Sequence, residues 1–333
     1  MQSDRHLAAR RLDVALALQA AGDLDSARAA AAIACEAAPQ WPDAWFVLGH
    51  CYEQLGEVDE AIATYRKCLE LDPADRLAAG ARLALMGAVA APARLPAAYI
   101  RTLFDEVAPG FDESLIGRLH YRGPQLLEQA VRPHLPSPDR MLAVLDLGCG
   151  TGLAGQFFRT VATRLDGIDL SPGMIGEAAR RGLYDSVRVA DLLEDPQERL
   201  VRYGLVLAAD VLNYVGDLTP AIAVAAAWLN PDGLFAFTIE EGEVHPFDLG
   251  PGHRFRHDPT AVRAWLAALG FKILHDEFAV LRYEKRQPVS GRIFVARLAA
   301  TLTTAASARP STPAGLVPGD PEHPDTLTEN LPN

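Results

Sequence analysis

The sequence predicts an α/β protein in two parts: an all-α domain of helical repeats, then a doubly wound, mostly parallel sheet. Three observations carry this. A pattern recurs every 34 residues near the N-terminus. From residue 141 to residue 298, short apolar runs alternate with helical stretches, as in parallel α/β sheets. Between the first run and the helix after it lies a glycine-rich loop, Asp146-Leu147-Gly148-Cys149-Gly150-Thr151-Gly152.

The bulk numbers set the frame. At 333 residues and 49% hydrophobic, the chain suits two domains, with a sizeable core in the larger. A net charge of −12 argues against a nucleic-acid groove, which needs clustered Lys and Arg. It leaves open a protein, a neutral metabolite or a cationic substrate. Cys35, Cys51, Cys68 and Cys149 form no C-x-x-C pair, so neither a disulfide framework nor a metal site is expected, and the compartment is expected to be reducing and cytoplasmic. Asp4, Arg5, Arg10, Arg11 and Asp13 interrupt the first twenty residues, which argues against a secretory signal. No uncharged run of about 18 apolar residues exists, so no membrane span is expected.

The repeat is clearest over residues 42–75. Trp45, Leu48, Gly49, Tyr52, Ala61, Tyr65 and Pro73 fall at the spacings of the tetratricopeptide pattern, with Tyr65 where Phe is usual. Residues 8–41 align at the same period, since Gly22 and Gly56, Ala27 and Ala61, and Pro39 and Pro73 are each 34 apart. Arg11 and Leu18 replace the Trp and Tyr of the other copy. Residues 76–90 begin a third copy that stops early, as a capping helix would. Gly49 and Ala61 let paired helices approach, and Tyr52 and Tyr65 fill the space between them. A helical domain over 1–90 follows, whose surface is a candidate docking site for a protein.

Ala91, Pro92 and Pro96 mark a linker, so residues 1–90 are expected to be separable and a chain starting near Arg94 to keep its ligand site. Residues 97–132 read as helices, and Pro133, Pro136 and Pro138 break the chain again. MLAVLDLG, RLDGIDL, SVRVAD, YGLVLAAD and GLFAFTIE are the strand-like runs that follow, most ending at an acid or glycine. FKILHDEF and GRIFVARLA supply two last strands and are expected to include an antiparallel edge. The second domain thus spans 97–298, and 299–333, rich in Pro, Ser and Thr, reads as a disordered tail.

Glycines in the loop after the first strand permit a tight turn and expose backbone amides to a ligand. Dinucleotide enzymes use a related loop, so a nicotinamide or flavin site is the alternative. Three acids favour a different ligand. Asp146, two residues before the first glycine, is awkward near a pyrophosphate and suits a cationic amino group. Asp169 ends the second strand, where it can accept from both hydroxyls of a ribose. Asp191 ends the third strand, placed to meet an adenine amino group.

On these residues the chain resembles the class I S-adenosylmethionine-dependent methyltransferases over 141–298. VLDLGCGTG is similar to their first motif, DGIDLSPGMI to the segment after the second strand, VADL to the third-strand turn, AADVLNYVGDL to the segment facing the methyl group, and LNPDGLFAFTIE to the fifth-strand turn. With the repeats, the whole chain resembles bacterial predicted methyltransferases that contain tetratricopeptide repeats. The resemblance implies a Rossmann-like seven-stranded methyltransferase sheet behind an all-α tetratricopeptide-repeat domain, with S-adenosyl-L-methionine as cofactor. It implies a site formed by Asp146, Gly148, Cys149, Gly150 and Gly152 of the loop, Asp169, Leu170 and Met174 after the second strand, Asp191 and Leu192 after the third, and Asp210 after the fourth. The stretch from Phe104 to Pro124 resembles helices that close over the cofactor, with Tyr121 and Arg122 at its carboxylate end.

The candidate catalytic residues are Tyr214, Asp210 and His257. Asp210, Asn213 and Tyr214 lie at the fourth-strand end, and without the Pro-Pro of amide and adenine methyltransferases they leave those substrates in doubt. The long stretch after the fifth strand holds His245, His253 and His257 and is expected to wall the substrate pocket, with His257 a base at neutral pH. A small-molecule acceptor is the first reading. The others are a protein methyltransferase whose repeats dock the target, and a repeat scaffold that senses the cofactor.

Overall fold

The computed structural model of the protein describes residues 2–135, 142–194 and 201–300. The breakers Pro136 and Pro138, Met141 of the first apolar run, and the expected tail from residue 301 onward lie outside the described residues.

Four helices make the two full repeats: α1 (Gln2–Ala21), α2 (Leu24–Ala37), α3 (Pro42–Leu55) and α4 (Val58–Leu71). Gly22 and Gly56 end the first helix of each pair with left-handed φ of 83° and 77°, a conformation glycine adopts without strain. Asp23 caps α2 by accepting from the Ser26 amide at 3.2 Å, and Pro42 sits in the first turn of α3. The close approach at Gly49 is real, since a Cβ there would stand 2.9 Å from the Tyr65 ring. Tyr65 is fully buried, and its hydroxyl donates to Glu53 at 2.7 Å. The short α5 (Ala79–Leu85) closes the stack; its first amides, of Ala79 and Gly80, donate to the Asp75 carboxylate.

After α5 come α6 (Ala97–Val107), a π-helical turn at Glu113–Arg118 and α7 (Gly123–Val131). The sheet domain then runs β1 (Leu142–Leu147), α8 (Gly155–Phe158), β2 (Ala162–Asp169), α9 (Pro172–Arg181), β3 (Ser186–Val189), β4 (Tyr203–Ala208), α10 (Thr219–Trp228), β5 (Leu229–Glu240), β6 (Phe247–Gly250), β7 (Arg254–His257), α11 (Pro259–Ala268), β8 (Phe271–Glu284) and β9 (Gln287–Leu298).

The seven-stranded sheet has the order β3-β2-β1-β4-β5-β9-β8. The first five strands are parallel to one another, and β9 is antiparallel to both β5 and β8. The antiparallel strand is therefore inside the sheet, between β5 and the edge strand β8, instead of at the edge. The cause is the two-residue turn at Lys285 and Arg286, whose φ values of 47° and 64° suit a tight hairpin, so that β9 folds straight back into the place beside β5. The central strands are buried on both faces, as their unbroken apolar runs require. One layer packs them under α10 and α11, around Trp228, Val262 and Leu266; the other under α7 and α8, around Leu127 and Phe158. β6 and β7 form a separate two-stranded sheet, where a pocket-walling loop was expected. Among the described residues no helix is long and apolar enough to cross a membrane.

Candidate functional site

A cavity opens at the carboxyl ends of β1, β2 and β4, where open α/β sheets bind their ligands. The glycine loop forms its floor. Gly148 has a φ of 66°, and a Cβ on it would stand 2.4 Å from Val211, so a side chain is excluded where loop and β4 turn meet. A Cβ on Gly150 would meet nothing within 4 Å; Gly150 lines the cavity, so this is backbone laid open to a ligand. Gly152 does not line the cavity: it is the tight contact to the Tyr184 ring, 2.9 Å from an added Cβ. Cys149 lines it with a thiol that burial pushes well up, the state of an unreactive cysteine.

Asp146 is 1% exposed and accepts from the Tyr184 hydroxyl at 2.7 Å. Burial raises its pKa to about 7, against the lowering effect of that hydrogen bond, and nearby Asp169 adds to the rise. Asp169 accepts from the Gly150 amide at 2.9 Å and the Ser171 amide at 2.9 Å, which joins the glycine loop to the start of α9. Burial also raises its pKa. Leu170, Met174 and Leu192 line the apolar part. Asp191 accepts from the Leu193 amide at 2.9 Å and pairs with Arg94 at 2.5 Å.

The segment before the sheet is fastened over this floor by two acids. Asp105 accepts from the Ser171 hydroxyl at 2.5 Å and the Gly173 amide at 2.9 Å. Asp112 accepts from the Thr151 hydroxyl at 2.6 Å and pairs with Arg181. Phe104 and Phe111 of this segment line the cavity, as does Tyr121, whose phenol burial pushes far above its usual range. Arg122 does not line it. Its side chain is exposed at the start of α7, and its backbone amide donates to the Leu281 carbonyl at 3.0 Å. Its expected contact with the cofactor is corrected accordingly: the helix start turns the side chain to solvent.

The end of β4 meets a buried ionic cluster. Asp210, in a left-handed conformation with a φ of 56°, donates its amide to Thr238 Oγ1 at 2.8 Å. Both its carboxylate oxygens are held by Arg282 Nη1, at 2.8 and 3.0 Å. The Arg282 side chain is 2% exposed and also donates to Glu284 at 2.9 Å and to Glu240. Arg254, from β7, lies 2.9 Å from Glu240 and pairs with Glu284. Even so, burial leaves the Asp210 pKa raised. Tyr214 lines the cavity beside this cluster, edge-on to Phe104 with centroids 5.4 Å apart, and its phenol is pushed up by burial.

His257 is not at the cavity, so its expectation as a base is corrected. It is 0% exposed, and its Nε2 sits 2.9 Å from the Val215 carbonyl and 3.1 Å from that of Gly216. Burial lowers its pKa to about 4. The reason is strand alternation in β7: Phe255 and His257 face inward, while Arg254 turns the other way, to the cavity. Of the stretch 245–257 only Arg254 lines the site. His245 is exposed and 2.7 Å from Asp258, and His253 is buried against Tyr99. Sequence reasoning missed Arg94, Arg254, Arg282 and Glu284. The one available signal was Arg282 and Glu284, charges at alternate positions in an otherwise apolar strand run, AVLRYE.

Residues 145–235 match the family model described as a methyltransferase domain, and residues 42–75 match one described as a tetratricopeptide repeat. Among curated proteins, the chain is 35% identical over 94 residues to Methyltransferase-like protein 27 of Homo sapiens, covering 28% of this chain and 38% of that one. It is 27% identical over 164 residues to a ubiquinone biosynthesis O-methyltransferase of Azorhizobium caulinodans, covering 47% of this chain and 64% of the relative. It thus spans less than two thirds of either. Among solved structures, a Burkholderia thailandensis 1,6-didemethyltoxoflavin-N1-methyltransferase with bound 1,6-didemethyltoxoflavin and S-adenosylhomocysteine is 21% identical, with a TM-score of 0.48, over 63% of this chain and 93% of that chain. The region that matches a methyltransferase domain thus follows the region that matches a tetratricopeptide repeat.

Proposed function

We propose that this protein transfers a methyl group from S-adenosylmethionine to a small-molecule acceptor. The observation that carries the reading is the charge of the cavity at the carboxyl ends of β1, β2 and β4. Among the described residues its walls hold five carboxylates, of Asp146, Asp169, Asp191, Asp210 and Glu284, against the three guanidinium groups of Arg94, Arg254 and Arg282. That excess suits a cationic ligand and opposes the pyrophosphate of a dinucleotide. The residues fit the cofactor in detail. Asp146 is a buried carboxylate whose only hydrogen-bond donor among the described residues is a neutral hydroxyl, so it gains from an ammonium partner. Asp169 stands at the β2 end to accept from vicinal hydroxyls, and Gly150 presents open backbone beside it.

When bound here, the cofactor supplies a methyl group already activated on a sulfonium. The chain's own residues bind, orient and exclude water. Phe104, Phe111 and Leu115 roof the cavity with apolar surface. Tyr214 keeps its proton, because burial pushes its phenol up, so it orients an acceptor atom by donating a hydrogen bond. Asp210 has both oxygens tied to Arg282, so it supplies fixed negative potential next to the acceptor rather than swinging to collect a proton.

A small acceptor is supported by the roof, which pins the segment around Asp105 and Asp112 over the site, and by the similarity to O-methyltransferases named for ubiquinone biosynthesis. The test is incubation of the full chain with cell extract and methyl-labelled S-adenosylmethionine, followed by separation of small molecules from protein. Label in a small-molecule fraction is expected. Label confined to protein would favour a protein target docked by the repeats, and none in either would leave a cofactor-sensing scaffold.

A further inference from the structure

The stretch that joins the repeats to the sheet domain is not a free linker. The Ala93 carbonyl accepts from the amides of Gly216 (2.8 Å) and Asp217 (3.0 Å), and the Leu95 amide donates to the Tyr214 carbonyl at 3.0 Å. Arg94 bridges to Val215 in antiparallel fashion. The junction therefore lies as a short strand along the segment that follows β4, the segment that also carries Tyr214.

Its side chains then divide between two bodies. Leu95, 1% exposed, packs in one apolar cluster with Ala78, just before the last repeat helix, Ala81 within it, Ile100 and Phe255. Leu95 and Ile100 also line the cavity. Arg94 reaches the cavity from the same strand, and its Nη2 meets Asp191 Oδ2 at 2.5 Å, across 97 residues of sequence. The two side chains are 34% and 11% exposed, so the pair is neither a surface contact nor sealed in the core. The other two cavity guanidinium groups, of Arg254 and Arg282, are spent on Asp210, Glu240 and Glu284. Among the described residues Arg94 has one carboxylate partner, and one nitrogen of its planar group is tethered at the third-strand end.

We propose that Arg94 is a nucleoside-binding residue of the cofactor site, and that through Arg94 and Leu95 the repeat domain closes that site. A guanidinium tethered through one nitrogen keeps a flat cationic face on which a heteroaromatic base stacks, where an ammonium would offer only a point charge. Asp191 then does two things: it tethers Arg94 at the cavity and keeps its second oxygen on the Leu193 amide. Because the same strand is buried against α5, cofactor binding and docking of the repeats reinforce each other. A chain cut at Arg94 would lack Ala93 and the Ala78–Ala81 surface under Leu95, so the site would lose a wall.

The inference rests on the methyltransferase reading, and the test keeps the two apart. The full-length protein is titrated calorimetrically with S-adenosylhomocysteine, as wild type, Arg94→Ala and Arg94→Lys. No binding by the wild type would refute the methyltransferase reading itself. Binding by the wild type with an affinity lowered about tenfold or more in Arg94→Ala supports the proposal. Unchanged or tighter binding in that variant overturns it. Lysine keeps the charge opposite Asp191 but not the plane, so Arg94→Lys is expected to stay weak; full rescue by lysine would reduce Arg94 to a structural counter-ion and overturn the proposal. Hydrogen exchange on the wild type reads the coupling without any variant. The ligand is expected to slow exchange at the amides of Leu95, Gly216 and Asp217, and unaltered exchange there overturns the role of the junction.

Discussion

Asp146 gives the proposed site a measurable pH dependence. Its carboxyl is buried, and its pKa is raised to about 7, chiefly by burial. Unperturbed Asp titrates near 4, so the proton that solvent would remove is retained here through the weakly acidic range. A ligand ammonium favours the ionised carboxylate, so binding must pull that proton off whenever it is present. With a pKa about 7, the carboxylate is ionised in about one tenth of molecules at pH 6 and about nine tenths at pH 8. Affinity for S-adenosylhomocysteine should therefore rise roughly tenfold between those values, and binding at pH 7 should release about half a proton. Calorimetry in two buffers of different ionisation enthalpy reads both quantities. Asp146→Asn cannot ionise and should lose the dependence, binding at every pH more weakly than the wild type does at pH 6. Tyr184→Phe removes the hydrogen bond that favours the carboxylate, so the rise should move to higher pH. Affinity that is flat with pH in the wild type, or that shifts equally in Asp146→Asn, would refute the reasoning.

Four further outcomes are expected. Arg282→Met leaves Asp210, Glu240 and Glu284 with Arg254 alone, at a cost of ~3–5 kcal/mol, a fall in Tm on the order of 10 °C. Because the Asp210 pKa then climbs further, that deficit should shrink as pH is lowered; a calorimetric melt at pH 6 and pH 8 checks both. His257→Asn should cost ~1–3 kcal/mol of stability while S-adenosylhomocysteine affinity stays put, since the ring holds two carbonyls and no ligand. The wild type should also lose stability as pH falls from about 6.5 toward 4, the window in which the buried neutral ring must take a proton, and the Asn variant should lack that component. Asp169→Ala should weaken cofactor binding roughly a hundredfold in a protein that circular dichroism shows folded, because ligand bonds and the amides of Gly150 and Ser171 lose their acceptor together. Gly49→Val pushes a side chain into the Tyr65 ring and should lower repeat stability by ~1–3 kcal/mol, read by thermal melting.

Much of this architecture is legible because it is local. The 34-residue spacing requires Gly49 against Tyr65, and the acids at strand ends place Asp146, Asp169 and Asp191 around one loop. What is hidden depends on pairing between distant segments. Nothing near Arg282 in sequence announces Asp210, 72 residues away. Arg94 sits among alanines and prolines that read as a linker, and its partner is fixed only when the chain beyond β3 has turned back. The stretch HRFRH reads as a histidine-rich loop until it is recognised as a strand; alternation then turns His257 into the protein and Arg254 toward the ligand.

The placement of β9 has a consequence for how the protein is made. It is the last strand in sequence among the described residues, yet it lies inside the sheet and carries Phe294 against Phe237 of β5. Until it emerges from the ribosome, the open edge of β5 offers unpaired backbone to any neighbouring nascent chain. The half of the site that holds the glycine loop can assemble early, because its strands follow one another in synthesis. The wall that holds Arg282 cannot, since β8 joins the sheet only through β9. A ribosome stalled before residue 287 would thus display a preformed glycine-loop half beside an aggregation-prone edge, and a chaperone that shields exposed strands would act in that interval.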